Sequence, residues 1–110
     1  MSTYLYHLVQ TPATVAKLIA APEDRFAAIE PLFKRAGGAL LGYWYGVGGT
    51  DVYVLSDLPD DIASTGLLTT AVSSGAFSSA THTRLLTVEE MLTALGATAT
   101  TAYHAPGEPA

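Results

Sequence analysis

The sequence predicts an α+β domain in which a four-stranded antiparallel sheet carries its main helices on one face. Strand-like and helix-like segments follow one another in the order strand, helix, hairpin, helix, strand, helix. The hairpin is predicted because two β-rich segments meet at a short glycine turn. A split βαβ arrangement accommodates this order with right-handed crossovers.

The length of 110 residues suits one compact domain with a single core. We expect residues 1–96 to form this domain. Residues 97–110 are small, threonine-rich and proline-bearing, which predicts a loose tail or an arm laid over another surface.

The first strand is predicted over residues 3–10, where aromatic and β-branched side chains are enriched. Apolar groups occupy both alternating sets of positions, so both faces of this strand should be covered. Thr11 can cap a helix N-terminus and Pro12 suits the first helical position. These two residues predict a short helix that runs to Ala21.

A second helix is predicted over residues 23–36, because acidic residues at its start and basic residues at its end suit the helix dipole. Gly37 and Gly38 can adopt the left-handed conformation that ends a helix. Pro31 has no amide hydrogen to donate within a helix, so we expect a kink or a break there.

The predicted hairpin joins strands over residues 40–47 and 51–56. Side chains alternate between the two faces of a strand. Strict alternation therefore places Tyr43 and Tyr45 on one face and Trp44 on the other, beneath the helices.

The remaining chain predicts a helix, a strand and a helix. Pro59 and the two aspartates after it begin a helix that ends near Gly75. Its inward side chains should be those of Ala63, Leu67, Leu68, Ala71 and Val72. Residues 79–86 follow as the fourth strand. Thr87 and Glu90 have the spacing of a capping box, which opens a short last helix.

Apolar and aromatic side chains occur on both faces of the predicted strands, whereas the helices can cover only one face. A bare aromatic face of several hundred Å² is unusual on a soluble monomer. A second copy that packs sheet against sheet about a two-fold axis would cover it. We therefore predict a homodimer. The alternative is that the tyrosines lie outward with their hydroxyl groups in water.

Several short motifs, taken in order, resemble the GYD-domain family of small bacterial proteins. They are Tyr4-Leu5-Tyr6 before Thr11-Pro12, Gly37-Gly38 before Gly42-Tyr43, the run from Asp51 to Asp60, the run from Ala71 to Ala76, Leu85-Leu86-Thr87 before Glu89-Glu90, and Tyr103 with Pro106-Gly107. The resemblance covers nearly the whole chain. It implies a ferredoxin-like fold that pairs into a dimeric α+β barrel, and it implies this more strongly than any chemistry.

The sequence departs from the family at the motif that names it. The triplet reads Gly49-Thr50-Asp51 here, so the glycine and the carboxylate remain while the aromatic ring is lost. A role that depends on the phenol ring of that tyrosine is therefore not expected of this chain.

Three side chains are candidates for acid–base catalysis. Asp51, at the end of the hairpin turn, could act as a general base, or it could bond backbone donors of the turn. His7 and His82 lie on predicted strands and could titrate near neutrality. They could equally be hydrogen-bonded residues of the core or of an interface. Their spacing gives no support for a metal site, and we expect neither a metal nor a cofactor.

Tyr43, Tyr45 and Tyr53 are candidates for ligand binding, because flat rings with phenolic donors suit an aromatic or planar ligand. The same rings could instead fill the space between two sheets. We expect a small molecule to bind in a pocket of the barrel. A cofactor-independent enzyme of the oxygenase or isomerase type and a purely structural assembly protein are the alternatives, since no catalytic signature is present.

Composition excludes other classes. The chain has no cysteine, which excludes disulfides and thiolate metal sites and fits a reducing compartment. A basic N-terminal region is also absent, so we expect a cytoplasmic protein. A net charge of −5 with five scattered cations argues against nucleic acid as a partner. No apolar run has the roughly 20 residues that a membrane span needs.

Overall fold

The computed structural model describes residues 1–109, which form four strands and four helices in the order β1, α1, α2, β2, β3, α3, β4, α4. The strands are β1 (Ser2–Gln10), β2 (Ala39–Tyr45), β3 (Asp51–Leu58) and β4 (Phe77–Leu85). The helices are α1 (Pro12–Ala20), α2 (Arg25–Arg35), α3 (Asp61–Ser73) and α4 (Val88–Ala97). The predicted α+β class is confirmed. Ala110, the last residue of the predicted tail, lies outside the described residues.

The four strands form one antiparallel sheet with the order β2-β3-β1-β4. The first strand therefore lies in the centre of the sheet, paired with β3 on one side and β4 on the other. This is the strand order of the ferredoxin-like fold. The split βαβ arrangement that the element order predicted is confirmed.

Each helix begins at a residue whose side chain accepts a hydrogen bond from the first turn. Thr11 caps α1, Asp24 caps α2, Asp60 caps α3 and Thr87 caps α4. Such caps satisfy amide groups that have no partner inside the helix. In α4 the glutamate at the third position also accepts from the backbone amide of Thr87, so the predicted capping box is confirmed.

The hydrophobic core lies between the sheet and the helices. Its buried side chains come from alternate positions of the two central strands, from one position of β2 and from α2. They are Tyr4, Tyr6, Leu8, Phe33, Leu40, Val52, Val54 and Leu58. Helix α2 packs on β2, whereas α3 packs on β4 and, to a smaller extent, on β3. The two helices thus lie over opposite edges of the sheet.

The prediction that Trp44 lies beneath the helices is wrong, because β2 contains a β-bulge. The pairing of β2 with β3 shifts between Leu40 and Gly42, so Leu41 is an extra residue. One extra residue moves every later side chain of the strand to the other face. Tyr43 and Tyr45 consequently lie on the helix face, and Trp44 is 53% exposed on the opposite face.

Two smaller expectations about the helices need correction. The break that was one of the two outcomes expected at Pro31 does not occur, because helix α2 continues through this residue, which is exposed, as is Ala27 one turn earlier. The carbonyl group that loses its amide partner therefore points to solvent and can bond water, so no break is needed. In α3, Val72 is exposed instead of inward, whereas Ala63, Leu67, Leu68 and Ala71 are half-buried.

The sheet surface opposite the helices is apolar and only partly covered in a single chain. We call it the open face and define it by Leu5, His7, Trp44, Tyr53 and Leu55. None of these five side chains is buried, and α2 and α3 pack on the other side. The ring of Trp44 lies over Gly42, where any larger residue would collide with it.

Helix α4 extends away from the rest of the chain. All its residues are exposed, including the apolar stripe formed by Val88, Met91, Leu92 and Leu95. The radius of gyration is 18.1 Å, whereas a compact domain of this length has one of about 13 Å. Among residues 1–109, no helix has the length and apolar character needed to cross a membrane.

Replacement of Gly38 should test the close approach of the turn before β2 to the end of β3. A Cβ atom there would overlap the carbonyl oxygen of Asp57, which is backbone and cannot move freely. We expect Gly38→Ala to lower the free energy of unfolding by about 2 kcal/mol, measured by urea denaturation.

Gly66→Ala is the matched control. Gly66 lies inside α3 with open space around it, so alanine should stabilise the protein by roughly 0.5–1 kcal/mol through helix propensity. Equal effects of the two substitutions would contradict the close approach at Gly38.

Candidate functional site

A cavity of about 250 Å³ lies above the central strands, where α2 and α3 diverge towards opposite edges of the sheet. We call it the apolar cavity. Its floor is formed by the sheet residues Tyr6, Leu8, Val52 and Val54, and its walls by Ile29, Leu32 and Phe33 of α2 and Leu67, Leu68 and Ala71 of α3. The wall and floor side chains are almost all hydrocarbon. This cavity lies between helices and sheet within one chain.

A second cavity of about 320 Å³ adjoins the first, and we call it the polar cavity. The two cavities share Arg25, Tyr43, Ser74, Ala76 and Phe77. The other residues of the polar cavity include Gln10, Thr11, Thr14, Lys17 and Glu23. An apolar chamber thus opens beside a chamber that carries charges and hydrogen-bonding groups.

Three polar residues, Arg25, Tyr43 and Ser74, lie at the junction of the two cavities, and Arg25 and Tyr43 have the longest side chains of the three. The Nη1 group of Arg25 donates to Oε1 of Glu23 at 2.7 Å. Burial raises the pKa of Tyr43 to about 12, with a further contribution from the neighbouring Tyr45. At neutral pH the Tyr43 hydroxyl is therefore protonated and can donate a hydrogen bond.

Two of the three catalytic candidates lie together on the open face. The distance between Nε2 of His7 and Oδ1 of Asp51 is 2.8 Å. The rings of His7 and Tyr53 stack with centroids 4.8 Å apart. His7 and Asp51 are both partly exposed, so this pair is accessible in a single chain.

The third candidate, His82, lies on the other face of the sheet. Its Nδ1 atom is 2.8 Å from Oγ of Ser64, which in turn is 2.5 Å from the hydroxyl of Tyr6. Ser64 is completely buried, so a substrate cannot approach its hydroxyl group. The hydrogen bonds join α3 to β1 and β4, which is a structural role.

The three predicted ligand-binding tyrosines are divided between the two faces. Tyr43 lines both cavities, and the Tyr45 ring lies 5.4 Å from it and borders a further depression beside α1. Tyr53 belongs to the open face with His7. Of these three tyrosines, Tyr43 alone borders the apolar cavity.

Of the residues that line the two cavities, Tyr43 alone was a sequence candidate. Arg25 and Gln10 are two polar residues that the sequence did not indicate. In the sequence, Arg25 is a charged residue near the start of a predicted helix, and Gln10 is a polar residue at the end of a predicted strand. Neither residue type nor spacing marks them, because the cavity forms only when α2 lies over β2. Within residues 1–109, no three His, Asp or Glu side chains are placed to hold a metal ion together.

The fold and the cavities define a small α+β protein with a split βαβ sheet and a ligand-sized cavity between sheet and helices. The model of the GYD domain family matches residues 4–95 of the chain. The chain belongs to the GYD domain family, and the resemblance seen in the sequence motifs is confirmed. Comparisons with curated proteins and with solved structures gave no match.

Tyr43→Phe should remove one late transition from the alkaline titration of the tyrosines. Because the folded-state pKa of Tyr43 is raised from 10.0 to about 12, its neutral form stabilises the folded state below pH 10. That contribution is lost as the pH rises through the folded value. The pKa of Tyr4 is also raised, by burial and by its hydrogen bond to Asp61, so the late absorbance change should shrink without vanishing.

The exposed Tyr103 in the tail provides the control for this titration. Tyr103→Phe should leave the late part of the tyrosinate absorbance curve unchanged. A Tyr43→Phe curve with the late transition intact would contradict a buried, protonated Tyr43.

Proposed function

We propose that the chain acts as a cytoplasmic homodimer that binds a small, largely apolar molecule in the apolar cavity. The observation that carries this proposal is the cavity of about 250 Å³ with hydrocarbon walls. Protein interiors hold few voids larger than a water molecule, and a cavity of about 150 Å³ is enough for benzene. A chamber with apolar walls and a few polar groups at its opening is typical of a ligand site.

The homodimer is supported by the surface that a single chain leaves exposed. The accessible surface is 7326 Å², about 1,500 Å² more than the roughly 5,800 Å² expected of a compact monomer of 11.4 kDa. A stable interface buries about 800 Å² on each partner. The excess is therefore large enough for a dimer.

A second copy of the chain is the occupant we assign to this surface. Two groups of exposed apolar side chains lie on the chain's surface, one on the open face, with Trp44 and Tyr53, and one along α4, with Leu92 and Leu95. In a two-fold arrangement the two open faces would cover each other, and each α4 would reach the partner. If each α4 packs on the partner in this way, its apolar stripe is covered in the dimer although every residue of the helix is exposed in one chain.

A second candidate function, a cofactor-independent enzyme, is favoured by the hydrogen bond between His7 and Asp51. A carboxylate that accepts from one ring nitrogen orients an imidazole and leaves the other nitrogen as a base. With Asp51 on Nε2, the base would be Nδ1 of His7.

The test of this second candidate compares the unsubstituted protein with His7→Gln. A substrate that the unsubstituted protein converts should remain unconverted when it is incubated with the variant, as measured by mass spectrometry. Turnover that survives in that variant would exclude the pair.

Filling the apolar cavity should abolish ligand binding. We expect indole, followed through the NMR signals of the methyl groups of Ile29 and Leu67, to bind the unsubstituted protein. Ala71→Trp should weaken binding by about ten-fold or more, because the new ring occupies the chamber. Thr69→Trp places the same ring on the exposed side of α3 and should leave binding unchanged.

Absence of any indole binding at millimolar concentration would contradict a ligand cavity and favour a purely structural assembly protein. Native mass spectrometry of freshly purified protein would complement this test by detecting a retained small molecule.

A charge on the apolar stripe of α4 should weaken the dimer. Sedimentation at micromolar concentration should give a dimer for the unsubstituted chain. Leu92→Glu should shift it towards monomer, because a carboxylate would lose its hydration in the interface. Thr93→Glu, on the same exposed helix, adds the same charge away from the stripe and should have little effect.

A single 11.4 kDa particle from the unsubstituted chain would contradict the homodimer. A Leu92→Glu protein that remains fully dimeric would contradict the part assigned to α4.

A further inference from the structure

The junction of the two cavities has the chemistry to hold a negatively charged group. Arg25 and Tyr43 border both chambers. A molecule whose apolar part fills the apolar cavity would present its other end to these two side chains. A guanidinium group and a phenol both donate hydrogen bonds, and the guanidinium fork matches a carboxylate.

The charge around the polar cavity is opposite to that of the whole protein. The chain carries a net charge of −5 and five cationic residues. Two of those cations, Lys17 and Arg25, border the polar cavity, together with one acid, Glu23. This balance leaves one net positive charge, which suits a monoanion better than a phosphate dianion.

The contact between Arg25 and Glu23 occupies only part of the guanidinium group. The Glu23 side chain is half exposed and uses one of the five N–H donors of Arg25. Further donors remain for a ligand. The exposed glutamate can also turn towards water if a ligand carboxylate takes its place.

Gln10 adds a second buried polar group to the same chamber. It is only 5% exposed and borders the polar cavity. The NH₂ group of this side chain can donate a hydrogen bond to a ligand oxygen in the cavity. The Tyr43 hydroxyl is protonated, because burial raises its pKa to about 12, so it too can donate.

We propose that the ligand is a small monocarboxylic acid with an aromatic or branched apolar body. The body lies in the apolar cavity, and the carboxylate lies at the junction, against Arg25 and Tyr43, with Lys17 nearby. This inference rests on the proposed function, since it specifies the ligand class for the same cavity. The cavity of about 250 Å³ exceeds the about 150 Å³ that accommodates benzene, which leaves room for a phenyl ring and a short chain.

The experiment compares 3-phenylpropionate with 3-phenylpropanamide, which has the same shape without the charge. Both are titrated by calorimetry into the full chain at neutral pH and low salt. We expect the carboxylate to bind about ten-fold more tightly, as a charge-assisted hydrogen bond provides. Arg25→Gln should remove most of that preference, because the carboxylate loses more than the amide does when the guanidinium group is absent. Circular dichroism shows whether the variant is folded.

Arg35→Gln is the matched control, because it removes the same charge from the other end of α2, where the side chain is exposed. It should retain the preference for the carboxylate. An equal loss in both variants would mean that the effect is long-range charge, and this would overturn the assigned contact.

The two proposals fail in different ways. Equal affinity for the carboxylate and the amide, unaffected by Arg25→Gln, would overturn the carboxylate assignment while the ligand cavity stands. Absence of binding by both compounds, together with absence of indole binding, would overturn the proposed function and this inference with it.

Discussion

The central strand β1 is apolar on both faces, and the helices of one chain can pack against only one of them. Tyr4, Tyr6 and Leu8 meet α2 and α3, whereas Leu5 and His7 lie on the open face. The helix side is covered within the chain, because α2 and α3 pack over opposite edges of the sheet. The same placement leaves a space between the two helices above the central strands, and this space is the apolar cavity. The open face is not covered in this way within one chain, and the residues of α4 are likewise all exposed.

Local signals in the sequence were sufficient to predict most of the fold. Thr11, Asp60 and Thr87 cap helices as expected, because a capping hydroxyl or carboxylate acts on amides within its own first turn. The element order then restricts the sheet to few topologies. These features depend on neighbours in sequence, so they can be predicted from the chain alone.

The bulge at Leu41 could not be predicted in this way, and it decides which ring meets the cavity. Without it, Trp44 would face the helices and Tyr43 the open face. The bulge depends on how β2 pairs with β3, and the sequence around Leu40 reads as a regular strand. One unpaired residue therefore reverses the assignment of three aromatic side chains, whereas the strand itself is found correctly.

The sequence predicted several residues of the candidate sites, but it did not predict which of them lie next to each other in the fold. His7 and Asp51 are separated by 44 residues and become neighbours only through the pairing of β1 with β3. Tyr43 and Arg25 meet only because α2 packs on β2. Neither contact can be predicted from the positions of the residues in the sequence, because both depend on tertiary packing. The sequence therefore could not distinguish Arg25 from the four other cationic residues.

The two candidate functions use opposite faces of the same sheet, and this separates them physically. A dimer formed through the open face would enclose His7 and Asp51 between the sheets, where removal of water strengthens their interaction. The apolar cavity lies on the helix side and is complete within one chain. Ligand binding in the cavity and assembly through the open face therefore depend on different side chains. Acid–base chemistry at His7 would instead depend on assembly, because only the second copy would complete its surroundings.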